Sequence, residues 1–210
     1  MSVRTAINDL TSRYRQLNRT TLCVSDRPRK SSQMAETLKK DIPDDTALDA
    51  LAKRLGDVLH RQHQMLVTAE SCTGGWVAKV LTDIPGSSAW FDRGFVTYTN
   101  QAKQDMLGVP AVVLENHGAV SEQTVQAMVR GGLNHSQADF SLAISGIAGP
   151  GGGTADKPVG LVCFGWAQKR EAEAPRVWST HCLFSGDRDA VRRQAVATAL
   201  QELLDDIAPT

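Results

Sequence analysis

The apolar positions of this chain change period along its length. Between residues 44 and 61, Ala47 and Leu48, Leu51 and Ala52, Leu55, then Val58 and Leu59 recur every three or four residues. That is the spacing of one helix face, with Asp45 or Thr46 as the candidate cap at its start. Residues 64–68 then form an apolar run of strand length, and residues 75–81 return to a helical pattern. Residues 94–99 alternate as a half-buried strand does. A short helix is predicted over 100–107, stopped by Gly108-Val-Pro110, and another from Ser121 to Leu133. Residues 140–145 and 159–166 read as buried strands, 176–184 as the last strand and 190–207 as a closing helix. Strands and helices alternate. This predicts an α/β chain, a three-layer α/β/α sandwich around a mixed, mostly parallel sheet.

Residues 1–45 stand outside this pattern. Within residues 1–40, nine basic side chains face three acidic ones, a local excess of six positive charges that leaves the remaining residues with six negative. Ser25-Asp-Arg-Pro-Arg-Lys-Ser-Ser32 has the composition of a linker. The expected organisation is a basic, mobile extension over 1–45, helical around 3–18, ahead of one compact domain over 46–210. A solvated tail is the plain reading of the extension, and a docking arm for an acidic partner is the sharper one.

Composition narrows the function classes. A chain of 210 residues with 41% hydrophobic and 22% charged residues can bury a sizeable core as an ordinary globular protein. Its formal net charge is zero, and a compact part that is net negative is a poor footprint for a nucleic-acid backbone. No apolar run approaches membrane-spanning length, so no membrane partner is expected. The polar N-terminus argues against a secretory signal. Cys23, Cys72, Cys163 and Cys182 form no CxxC pair and no zinc spacing, which fits a reducing cytoplasm. His60 and His63 sit on a polar stretch without a carboxylate partner pattern and read as surface residues; no cofactor is expected.

Two glycine-rich turns carry the candidate chemistry. In Thr68-Ala-Glu-Ser-Cys-Thr-Gly-Gly-Trp76, a strand ends, three nucleophilic or hydroxyl side chains follow, and a helix opens. Unpaired backbone donors collect at such a place, where a hydroxyl gains partners for an oxyanion or a phosphate. Ser71 or Thr73 could equally be a helix cap. A cap alone leaves Gly74 and Gly75 unexplained, since two missing side chains let a ligand approach the backbone. Ser145-Gly-Ile-Ala-Gly-Pro-Gly-Gly-Gly-Thr154 also follows a strand and can cradle a phosphate or sugar with backbone amides, Gly149, Gly151 and Gly152 among them. It fits neither dinucleotide nor P-loop spacing, and could be a flexible connector. In an α/β sheet both turns belong at one carboxyl-end edge, which favours a pocket more than either turn does alone. From their surroundings alone, Tyr98 is a rim tyrosine and Lys103 a solvated helix lysine. Arg188, Arg192 and Arg193 could meet a phosphate or a partner subunit.

Ala69-Glu-Ser-Cys-Thr-Gly-Gly75, Gly94-Phe-Val-Thr-Tyr98 through Lys103, Gly118-Ala-Val-Ser-Glu122, Ser145-Gly-Ile-Ala-Gly-Pro150, Lys157-Pro-Val-Gly160 and Phe184-Ser-Gly-Asp-Arg188 occur here in one order. Over residues 46–208 the chain resembles the CinA C-terminal domain family, whose activity is nicotinamide-nucleotide amidase. The resemblance implies hydrolysis of nicotinamide mononucleotide to nicotinate mononucleotide and ammonia, an α/β/α homo-oligomer and no metal. It implies Ser71 as nucleophile, with Lys103 as base acting directly or through Tyr98, and so replaces the plain reading of those two residues. Cys72, Thr73, Gly74, Gly75, Gly149, Gly151, Gly152 and Arg188 become candidate contacts to the nucleotide substrate. A non-catalytic nucleotide-binding regulator of the same fold is the competing reading.

Overall fold

The computed structural model describes residues 22–24 and 42–208. In chain order the elements are β1 (Leu22–Val24), α1 (Asp45–Arg61), β2 (Leu66–Glu70), α2 (Trp76–Thr82), a 3-10 turn (Ser87–Ala89), β3 (Phe91–Val96), α3 (Asn100–Leu107), α4 (Ala111–His117), α5 (Glu122–Asn134), β4 (Phe140–Gly146), β5 (Leu161–Gln168), β6 (Arg176–Leu183) and α6 (Arg188–Ile207). The helix expected over 3–18 and the linker at 25–32 lie outside the described residues.

The six strands form one sheet in the order β1-β6-β5-β4-β2-β3. β2 is parallel to both β3 and β4. β4 with β5, β5 with β6 and β6 with β1 are antiparallel. The α/β/α architecture with a mixed sheet is as expected, but the parallel pairings are in the minority. The reason lies in the connections. Parallel neighbours need a crossover, usually a helix, whereas no helix separates β4 from β5 or β5 from β6, so each strand returns against the last.

Strand side chains alternate between the two helix layers. Leu142, Ile144, Phe164, Trp166 and Cys182 face α1, α2 and α6, while Ala143, Cys163 and Ala167 face α3, α4 and α5. Leu48, Leu51, Leu55 and Leu59 give α1 its buried stripe. Each fully buried leucine contributes about 1.5–3 kcal/mol. The small side chains Ala195, Ala197 and Ala199 bring α6 close to the sheet, where Trp166 Nε1 donates to the Ala199 carbonyl at 3.2 Å.

Several boundaries differ from the sequence pattern. Asp44, not Asp45 or Thr46, caps α1, accepting from the Ala47 amide at 2.8 Å. β3 runs over 91–96 rather than 94–99. Its alternation continues past the sheet, because Thr97 only closes the edge by donating its amide to the Glu70 carbonyl at 2.7 Å. Thr99 then caps α3 through the Ala102 amide at 3.0 Å. The apolar pattern does not predict α4; Pro110 opens it and Gly118 ends it, within seven residues that carry a single buried apolar side chain, Leu114. Residues 22–24, inside the expected extension, add an edge strand to β6, with Cys23 opposite Cys182 in register.

Candidate active site

β2 and β4 are parallel neighbours, so the turns that follow them leave the sheet at the same edge. The Ser71 amide extends the ladder by one bond, to the Ile144 carbonyl at 3.0 Å. Ser71 is 8% exposed. From there the chain turns through Gly74 (φ +62°) and Gly75 (φ +92°), left-handed conformations that favour glycine.

Two charged side chains clamp this turn. Glu70, 1% exposed, reaches forward past the residue it precedes. Its carboxylate accepts from the amides of Gly75 at 3.0 Å, Val77 at 3.0 Å and Ala78 at 2.8 Å. Those are donors at the start of α2 that would otherwise be orphaned. From the far side, Arg192 on α6 donates Nε to the Cys72 carbonyl at 3.1 Å and Nη2 to the Thr73 carbonyl at 2.7 Å. The Gly74 amide donates to the Ser71 carbonyl at 3.0 Å. Among the described residues, no other residue accepts from the amides of Cys72 or Thr73.

The contact that singles out this turn is a lysine on a serine. Lys103 Nζ lies 3.0 Å from Ser71 Oγ and donates to the Thr97 carbonyl at 2.8 Å. Lys103 is 1% exposed, with no carboxylate against its amine among the described residues. Burial holds its ammonium below the ordinary lysine range, a shift toward the neutral form that can accept a proton. α3 delivers it there because Lys103 and Leu107, one turn apart, are the helix's buried residues. Gly131 sets the approach of that helix: a side chain at 131 would meet the Leu107 carbonyl at 2.0 Å.

Cys72 and Thr73 are buried beside Ser71, and Cys72 is not poised to react. Burial pushes its thiol up to about 12, so at neutral pH it stays protonated and weakly nucleophilic. Thr73 is fully buried with its hydroxyl unpartnered.

Tyr98 lies apart from this pair. It is 58% exposed, and its hydroxyl accepts from Arg188 Nη2 at 2.9 Å. Arg188 Nη1 donates to the Gly149 carbonyl at 2.8 Å. Tyr98, Arg188 and Gly149 thus form one chain that ties the second glycine-rich loop to the strand edge. Gly151 and Gly152 are exposed in that loop. An open depression elsewhere, between residues 42–46 and the start of α6, is walled by Asp44, Asp45, Asp187 and Asp189 and does not include Ser71 or Lys103. The contact between a buried amine and a nucleophile, rather than concavity, marks the candidate site.

The sequence marks no role for Glu70 and offers Arg192 only as a phosphate or subunit contact. A glutamate that caps donors five to eight residues ahead matches no capping box, so its position carried no signal. Arg192 sits four residues after Arg188, a spacing that puts both on one face of α6.

The fold and the paired glycine-rich turns together define the class. The chain belongs to the CinA C-terminal domain family, which matches residues 48–207. It is 55% identical over 159 residues to the nicotinamide-nucleotide amidohydrolase PncC of Escherichia coli (strain K12), covering 76% of this chain and 94% of that protein. A Pseudomonas putida protein of the same name is 50% identical over 157 residues, covering 75% and 95%. The crystal structure of competence/damage inducible protein CihA from Agrobacterium tumefaciens shares the fold with a TM-score of 0.73 at 45% identity, covering 78% of this chain and 96% of that one. No helix among the described residues is long and apolar enough to cross a membrane.

Proposed function

We propose that this chain is a nicotinamide-nucleotide amidohydrolase that converts nicotinamide mononucleotide to nicotinate mononucleotide and ammonia, with Ser71 as nucleophile and Lys103 as its base. The name borne by relatives at 50–55% identity supports the reaction. The observation that carries the chemistry is the 3.0 Å contact between Lys103 Nζ and Ser71 Oγ in a buried setting.

A carboxamide is a weak electrophile with a poor leaving group, so each step needs help. Neutral Lys103 accepts the Ser71 hydroxyl proton as Oγ attacks the carboxamide carbon. The carbonyl electron pair moves onto oxygen, and the unclaimed amides of Cys72 and Thr73 are the candidate donors to that oxyanion. Collapse re-forms the carbonyl and breaks the carbon–nitrogen bond. Lys103 gives its proton to the departing nitrogen, and ammonia leaves a nicotinoyl ester on Ser71. Water adds to the ester with its proton passing to Lys103. The ester bond breaks, Ser71 Oγ recovers the proton and the acid ionises.

Lys103 touches Ser71 directly whereas the Tyr98 hydroxyl is on Arg188, so we assign the base to Lys103 and put Tyr98 with the substrate contacts. The ribose phosphate lies along the loop holding Gly149, Gly151 and Gly152, near Arg188. We extend the same reading to a cytoplasmic homo-oligomer with residues 1–45 as an appended segment.

Ammonia release from nicotinamide mononucleotide, followed for the wild type and Ser71→Ala with a chelator present, tests this. Wild-type turnover is expected, with a loss of at least about 10⁴-fold in Ser71→Ala. Wild-type protein that binds the nucleotide and releases no ammonia would be a regulator instead.

A further inference from the structure

We infer that Arg192 is a positioning residue that aims the Thr73 amide at the oxyanion of the reaction; this rests on the amidohydrolase reading and names the device behind one of its steps. Arg192 is committed to the nucleophile turn three times over. Nε holds the Cys72 carbonyl, Nη2 holds the Thr73 carbonyl, and the guanidinium lies 5.0 Å from the centre of the Trp76 ring.

Peptide geometry converts those two bonds into a direction for the amides. A peptide unit is planar and trans, so its N–H points opposite to its C=O. With the Cys72 carbonyl drawn to Arg192, the Thr73 amide points away from α6. With the Thr73 carbonyl drawn to the same guanidinium, the Gly74 amide also points away, and its bond to the Ser71 carbonyl shows where that direction leads. Glu70 has already taken the amides of Gly75, Val77 and Ala78. The Thr73 amide is left unclaimed, turned from the arginine and toward the Ser71 side of the turn.

The arginine also supplies what the turn lacks. Gly74 has no side chain to resist rotation of the peptide unit before it. Two charge-assisted bonds from one rigid fork hold that unit and the preceding one in place. The guanidinium charge polarises the Cys72 carbonyl, which strengthens the N–H of the same peptide unit as a donor.

The test compares Arg192→Met and Arg192→Lys with the wild type on nicotinamide mononucleotide and on its thioamide analogue, whose sulfur is a weak hydrogen-bond acceptor. Arg192→Met is expected to lose about 100-fold in kcat with KM within about threefold, the scale of one oxyanion donor. The preference for amide over thioamide should narrow by about tenfold, because the lost donor mattered mainly to oxygen. Added methylguanidine should restore part of the kcat of Arg192→Met, and Arg192→Lys should fall between the two. A thermal melt establishes that each variant is folded, and Arg192→Lys carries the comparison should the methionine variant not fold. A loss falling equally on amide and thioamide, or a kcat kept within about threefold, overturns the inference. Absence of turnover by the wild type sinks the amidohydrolase reading and this inference with it; normal wild-type turnover with indifferent Arg192 variants sinks this inference alone.

Discussion

The two glycine-rich turns leave the same sheet edge and are built in opposite ways. The first, from Glu70 to Trp76, is held by five charge-assisted bonds, three into the Glu70 carboxylate and two from Arg192, and Ser71 within it is buried. The second, from Gly146 to Gly153, has one side-chain tether among the described residues, Arg188 on the Gly149 carbonyl, and residues 151–156 are exposed. A covalent step demands a nucleophile fixed to a fraction of an ångström, and fixing it takes hydrogen bonds that exclude other conformations. A loop that receives a flexible nucleotide tail gains more from open backbone donors than from rigidity.

The largest effect is expected at Lys103. Lys103→Met should cost about a thousandfold or more in kcat, measured as ammonia release. It should not cost stability. The folded-state value of Lys103 is lowered, so between that value and the ordinary lysine value of about 10.4 the unfolded chain binds more protons than the folded one. The site's contribution to stability therefore rises with pH through that window. Below it, the folded chain carries the full cost of a buried charge. The methionine variant should melt higher than the wild type near neutral pH, with the gain shrinking as pH rises through that window and level above about pH 10.4. Lower melting at all pH values would mean that the amine stabilises this turn rather than straining it.

Substituting the glycines sharpens the contrast. Gly75→Ala forces an alanine into φ +92° with its Cβ 3.4 Å from Val96 Cγ2, and should lose about 1–2 kcal/mol by denaturant unfolding. Gly151→Ala meets nothing within 4 Å and carries no positive φ, so it should stay within about 0.5 kcal/mol of the wild type. Equal losses at the two positions would erase the proposed difference in rigidity. Tyr98→Phe is the mildest change. It removes one exposed bond, to Arg188, and should raise KM about two- to fivefold at unchanged kcat. A kcat loss of about 100-fold or more would put the Tyr98 hydroxyl in the proton path.

Periodicity located the strands and helices that face a full core layer, because Leu48 through Leu59 and Leu142 through Trp166 must alternate to be buried. It failed where burial is thin. α4 buries one apolar side chain, and a strand such as β3, at the sheet edge, ends where a hydrogen bond closes rather than where its pattern stops. The candidate site was legible in a different measure. Two adjacent glycine-rich turns after strands pointed to one edge from spacing alone. Lys103 did not, because α3 is polar around most of its circumference and the buried position is occupied by the lysine itself. Only the resemblance drew it into the site. Glu70 was unreadable, since a glutamate at the end of an apolar run has no local signature.

α6 follows every strand in chain order, yet both turns depend on it. Arg188 holds the second loop and Arg192 the first, about 6 Å apart along one helix. During synthesis, Ser71 and Lys103 leave the ribosome long before either arginine exists. On the proposed mechanism, a partly made chain thus carries its nucleophile and base without the clamp that aligns them, and competence arrives with the helix that closes the fold.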